Sequence, residues 1–165
     1  MAFQPIDELY DIGPLLGRGG FAVVHSARCR LSGARVALKV IDTARLSEEE
    51  RKRVDREIDV HATVSREAHP HVVRLLDQHE DSERVYLVLE HCPHGDLYKL
   101  LRRSGPLEEE PARNFVRQLL LGLAFLHERN VVHRYASPLP PNISHEALRL
   151  DQKDRRVIFH TKQGS

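Results

Sequence analysis

The sequence predicts an α+β fold, an antiparallel sheet with one packed helix followed by further helices, and three observations predict it. Between Tyr10 and Ile41, apolar and β-branched runs are punctuated by Gly17-Arg18-Gly19-Gly20 and by Ser32-Gly33. From Ser47 the apolar period becomes helical, and it opens on a capping box in which Glu50 follows Ser47 by three residues. After Pro93-His94-Gly95 the helical period returns and holds to Arg129.

The elements follow in order. Tyr10 to Leu16, Phe21 to Arg28 and Arg35 to Ile41 read as strands of an antiparallel meander. Val54, Ile58, His61 and Ala62 recur at helical spacing, which places a helix from Ser47 to Val64, and His69-Pro70 closes that segment. Val72 to Gln78 and Arg84 to Glu90 flank the polar Glu80-Asp81-Ser82-Glu83 and read as a second hairpin. Asp96 to Arg103 is a short helix stopped by Ser104-Gly105-Pro106. Glu108 to Arg129 is a long one, with Glu108, Glu109 and Glu110 where the helix dipole favours acids. Phe115, Leu119, Gly122, Leu123 and Leu126 line its core face. Beyond Arg134, three prolines within Tyr135 to Pro141 exclude a helix, and Gln152 to Arg156 is a charge run, so residues 135–165 read as a poorly ordered tail.

Composition bounds the function. The 165 residues carry 25 Lys and Arg against 24 Asp and Glu, and 41% are hydrophobic. That balance is globular, with no basic field and, lacking Trp, no stacking platform for bases, so nucleic acid is not the expected partner. The longest apolar run, Leu119 to Leu126, is too short to span a bilayer, and no secretory signal opens the chain. No membrane partner is expected, and the cytoplasm is the default location. Cys29 and Cys92 lie far apart and outside any Cys-x-x-Cys pattern, which points to reduced thiols.

Gly17 and Gly19 outline a turn whose backbone N–H groups can approach phosphate, a signal that is weak by itself because glycine-rich hairpin turns are more often structural. Lys39 in Val36-Ala37-Leu38-Lys39 strengthens it: an ammonium on a strand among apolar neighbours needs a partner, and Glu57 on the following helix is the candidate.

These residues carry a family resemblance. Gly17-Arg18-Gly19-Gly20-Phe21-Ala22-Val23-Val24, Val36-Ala37-Leu38-Lys39, Arg56-Glu57-Ile58, His69-Pro70-His71-Val72-Val73, Val85-Tyr86-Leu87-Val88-Leu89-Glu90 and Val131-Val132-His133-Arg134 stand in the order of a eukaryotic serine/threonine protein kinase. The chain resembles the N-terminal portion of that family, and its Gly loop and Glu80-Asp81-Ser82 hairpin look most like the polo-like kinases of centriole assembly. The resemblance implies an N-terminal arm (1–9), a small lobe (10–91), a hinge with the first helices of an incomplete large lobe (92–134), and a divergent tail (135–165). It implies ATP as ligand: Gly17, Gly19 and the Gly20 and Phe21 backbone over the phosphates, Lys39 on the α and β phosphates, and Glu57 holding Lys39. Val24 and Ala37 would cover adenine, Leu89 matches the gatekeeper, Glu90 and Cys92 the hinge, and Asp96 the acidic group near the ribose. Cys92 also reads as an ordinary buried thiol and Asp96 as an ordinary helix cap. His61 stands where the family has an apolar residue of its internal spine, and a centrosomal location follows from the resemblance alone.

Catalysis is where the pattern breaks. His133 and Arg134 match the catalytic loop, but the base position is Tyr135, a phenol that is neutral near pH 7 and larger than Asp. No Asp-Phe-Gly follows, and Val157 to Lys162 stand near its place, so Mg²⁺ lacks its expected anchor. No metal site is expected elsewhere: His69-x-His71 with His79 is the best-spaced cluster, and His-Pro recurs in kinases as a loop feature. The expectation is an ATP-binding kinase-family polypeptide without autonomous phosphoryl transfer. The alternatives are a pseudokinase-like binding module and a splice or gene-model fragment of an active kinase. A protein partner is expected over Leu119, Leu123 and Leu126, because the resemblance implies that their core face would meet large-lobe helices not found in this sequence and so stand exposed.

Overall fold

The computed structural model describes residues 4–93, 97–131, 148–151 and 156–159. The chain divides into two compact units, one formed by the residues up to Arg56 with Leu75–His91, the other by Glu57–Arg74 with the residues from Cys92 onward.

In the first unit a short helix α1 (Ile6–Leu9) leads into β1 (Tyr10–Arg18), β2 (Ala22–Cys29) and β3 (Arg35–Asp42). The helix α2 (Glu48–Arg66) follows, then the hairpin of β4 (Leu75–Glu80) and β5 (Arg84–Glu90). The sheet is five-stranded and antiparallel in the order β1-β2-β3-β5-β4, so the second hairpin joins the meander through β5. The fold class read from the sequence holds. Gly33 takes φ +70° in the β2–β3 turn, a conformation that glycine adopts without strain. In β1 a side chain at Gly13 would meet the Ser26 carbonyl at 3.1 Å, a tight contact with backbone that favours glycine there.

The period of two divides the sheet into faces. Tyr10, Ala27, Val36, Leu38, Tyr86 and Val88 form one buried cluster, with Ile6, Leu9, Cys29 and Val40 packed against it. The sheet curls around this cluster until the Tyr10 ring meets the His79 ring of β4 edge-on, with centroids 5.9 Å apart. At the β4–β5 turn Asp81 accepts hydrogen bonds from the Tyr86 hydroxyl (2.7 Å) and from the backbone N–H groups of Glu83 and Arg84 (2.8 Å each). Burial pushes the Asp81 carboxyl up, but those three donors outweigh it and hold the group below its ordinary value.

The capping box closes as its residues predict. The Ser47 N–H donates to Glu50 Oε2 at 2.8 Å and the Glu50 N–H to Ser47 Oγ at 3.3 Å. The Ser47 backbone and then its hydroxyl draw the Glu50 carboxyl below its usual range. One turn on, Arg51 pairs with both Asp55 and Glu80, which ties the start of α2 to β4.

The second unit holds the rest of α2, then α3 (Leu97–Ser104), α4 (Glu109–His127) and an antiparallel pair, β6 (Leu148–Asp151) and β7 (Arg156–Phe159). That pair is what is described within the segment read as a tail. Gly105, at φ +76°, ends α3 by donating to the Leu101 carbonyl at 2.8 Å. Val64, Val72 and Leu126 form the core, with Phe125 and Val131 against it. The His69 ring stacks on Phe125 at 4.6 Å, and the Arg129 guanidinium lies 3.8 Å from the same ring centroid while pairing with Glu67.

Two expectations need correction. The strand expected from Val72 begins only at Leu75, because Val72 and Val73 are buried in the segment that follows α2 instead of pairing with β5. Leu126, expected on an exposed face, is fully buried against Val64 and Val72, and Leu119 and Leu123 are half-buried. The large apolar residues exposed on α4 are Val116, Leu120 and Leu121.

Candidate functional site

The residues singled out in the first unit converge through strand register. Gly17 of β1 stands opposite Val24 of β2, Val24 opposite Lys39 of β3, and Lys39 opposite Leu87 of β5. Directly opposed residues of an antiparallel pair share a face, so these four form one row across the sheet. Ala37 stands opposite Leu89 and joins the same face two residues away. That face is the reverse of the Leu38 cluster, because Ala37 and Lys39 alternate with Val36, Leu38 and Val40 along β3. Val24, Ala37, Leu87 and Leu89 are buried and Lys39 is half-buried, so the ammonium emerges from an apolar surface with its stem flanked by Val24 and Leu87. A lysine can lay its methylenes along such a surface while its charge reaches a polar partner.

The turn Gly19-Gly20-Phe21 begins where that row meets β1. It is closed by the Gly19 N–H donating to the Ala22 carbonyl at 2.7 Å, and anchored where the Asp42 N–H donates to the Phe21 carbonyl at 3.2 Å. Phe21 is 55% exposed. A side chain added at Gly20 would meet nothing within 4 Å, and its φ is not in the left-handed region. Neither packing nor backbone geometry requires glycine at Gly20, whereas a tight contact acts at Gly13 and a left-handed φ at Gly33. A bare backbone facing open space suits a ligand that must come close to the N–H groups.

Glu90 ends β5, half-buried, and Cys92 is buried just beyond it. Glu57 is half-buried on α2, one turn before the buried His61. Asp96, His133, Arg134 and Tyr135 lie outside the described residues. The row adds Leu87, which the sequence reading passed over. Its signal was available, since Leu87 and Leu89 alternate with Tyr86 and Val88 on a strand.

Among the described residues no group of three or more His, Cys, Asp or Glu side chains could hold a metal ion. His69 and His71 meet edge to face at 5.4 Å, with the His71 N–H donating to His69 Nδ1, so the pair is knit into the loop after α2. Among the described residues no helix is long and apolar enough to cross a membrane.

The chain is 41% identical over 129 residues to the serine/threonine-protein kinase ATG1a of Arabidopsis thaliana, a match that covers 78% of this chain and 20% of that protein. It is 38% identical over 135 residues to the serine/threonine-protein kinase PLK4 of Drosophila ananassae, covering 81% of this chain and 17% of that protein. An Aurora kinase of Encephalitozoon cuniculi is 37% identical over 131 residues, covering 78% of this chain and 47% of its own. The chain therefore spans about a fifth of the first two relatives and about half of the third. Residues 10–135 match the protein kinase domain, a stretch that holds the glycine turn, the Lys39 row and α2 together, and the chain belongs to the protein kinase family, on its serine/threonine side.

Proposed function

We propose that the chain binds ATP on the face of the sheet that carries Lys39, and that it does not by itself transfer the γ-phosphoryl group. The observation that carries the first half is the row Gly17, Val24, Lys39 and Leu87, with the open glycine turn at its end. An apolar surface bearing one half-buried ammonium beside free backbone suits a ligand with a flat apolar base and a polyanionic tail. Lys39 holds the phosphates by charge, the turn offers N–H donors, and Val24, Ala37 and Leu89 meet the base. By the family resemblance, Glu57 is assigned the steadying of the lysine. Tyr135 supports the second half, because a phenol that titrates near pH 10 is a poor acceptor for a hydroxyl proton at neutral pH.

A thermal-shift titration tests the binding. ATP at 100 times its dissociation constant adds about 2.7 kcal/mol, which for a chain of this size is a rise of roughly 5 to 10 °C in Tm. Lys39→Met should abolish it by removing a charge-assisted contact. The absence of any rise with the intact chain at millimolar ATP sinks the binding claim, and steady transfer of labelled phosphate to a protein acceptor sinks the claim of inactivity.

A binding-module role has one observation in its favour, the exposure of Val116, Leu120 and Leu121 on α4. A chain that sediments as a monomer and binds no apolar dye would count against it.

A further inference from the structure

His61 is the buried polar residue of the described core, 2% exposed on α2 between Ile58 and Val64. A leucine would fill that space without desolvating an imidazole, so the histidine's presence calls for a reason beyond packing. Its Nε2 lies 2.8 Å from the Val73 carbonyl oxygen, in the segment that follows the helix. A carbonyl only accepts, so Nε2 carries the proton and donates. The contact differs in kind from its neighbours, because Ile58 and Val64 hold the helix by non-directional packing whereas a hydrogen bond to a main-chain oxygen has a direction. Four residues earlier, and so on nearly the same side of α2, stands Glu57.

We propose that His61 is a positioning residue whose bond from Nε2 to the Val73 carbonyl fixes the rotation of α2 about its axis and thereby the direction in which Glu57 presents its carboxylate. The purpose given to Glu57 rests on the ATP reading above; the mechanical role of His61 does not. Rotating a helix by one residue turns a side chain through about 100° and shifts it 1.5 Å. Apolar contacts tolerate part of such a motion, and the His61 bond does not.

The test uses the full chain without nucleotide and reads amide hydrogen exchange over residues 54–62. His61→Leu keeps the volume and removes the donor, and exchange there should quicken about 3- to 10-fold, the worth of one net hydrogen bond. His61→Gln places an amide N–H near the former Nε2 and should restore most of the protection. Equal protection in the intact chain and His61→Leu overturns the proposal, and so does a His61→Gln variant that exchanges as fast as His61→Leu. Nitrogen NMR of the unaltered imidazole needs no variant: an Nε2–H tautomer supports the bond, and an Nδ1–H tautomer overturns it. If ATP fails to bind the intact chain while the exchange pattern holds, the ATP reading falls and the positioning role stands. If ATP binds and His61→Leu neither quickens exchange nor weakens binding, the positioning role falls alone.

Discussion

Asp81 should behave as the keystone of the β4–β5 turn, and a double-mutant cycle with Tyr86 measures it. The carboxylate takes three donors, of which the Tyr86 hydroxyl at 2.7 Å is the one that reaches in from the buried strand. A hydrogen bond to a charged acceptor contributes about 1.5 to 3 kcal/mol when shielded, and this one is only partly so, which argues for the lower end. Tyr86→Phe should therefore cost about 1 to 1.5 kcal/mol. Asp81→Ala should cost about 2 to 3 kcal/mol, since the Glu83 and Arg84 N–H groups are exposed and recover water. In the double variant the shared bond is lost once, so the costs should fall short of additivity by about 1 kcal/mol, read by urea denaturation at pH 7. Acid gives an independent check. Asp81 is held below its ordinary value, so its contribution is complete above the unfolded value of about 3.8 and is lost as pH falls through the lower folded value. Tyr86→Phe should narrow that acid loss. Costs that add within about 0.4 kcal/mol, with acid profiles that superimpose, would refute the reasoning.

Three further outcomes are expected. Leu38→Ala, at a site with 0% exposure in the sheet cluster, should cost about 2 to 5 kcal/mol in a denaturant titration, whereas an exposed β1 residue such as Ile12 changed to Thr should cost well under 1 kcal/mol. Ser47→Ala opens the capping box and should cost about 0.5 to 2 kcal/mol, with the loss of helicity visible by circular dichroism. Burial and then the nearby Arg129 depress the His69 imidazole, so its contribution is complete above the unfolded value near 6.5 and is lost as pH falls toward the lower folded value. His69→Gln should flatten the pH dependence of the urea midpoint between pH 7.5 and 5.5, and an unchanged slope would refute the assignment.

Much of this was legible because the signals were local. Alternation along Val36 to Ile41 placed Lys39 on the face opposite Leu38 before any partner strand was known, and Ser47 with Glu50 marked the start of α2 to within one residue. What escaped depended on contacts distant in sequence. Nothing near Val72 says that it will leave the strand pattern for the core around Leu126, or that Val73 will be buried beside it in sequence. The helical period of α4 gives an apolar stripe but not which part of it a neighbour covers, so the exposed residues were misassigned. His61 was visible as a histidine among apolar positions, but its acceptor lies 12 residues away in a segment without regular pattern. Of the site, Gly17, Gly19 and Lys39 were readable from period and glycines, whereas Val24, Ala37 and Leu89 came from the family pattern. Asp96, His133, Arg134 and Tyr135 rest on the family pattern.

The edges of the sheet carry a consequence for how this chain fails. An open edge strand invites another chain to pair with it, and both edges here are poor templates. β1 is broken by two register shifts and carries Pro14, which has no N–H to offer, while β4 has its own shift and presents Asp77 and Glu80. Stacking of strand upon strand is thereby discouraged at both ends. When the chain clumps, the clumps should grow through side chains such as Leu120 and dissolve in mild detergent, without the cross-β signature of a fibril.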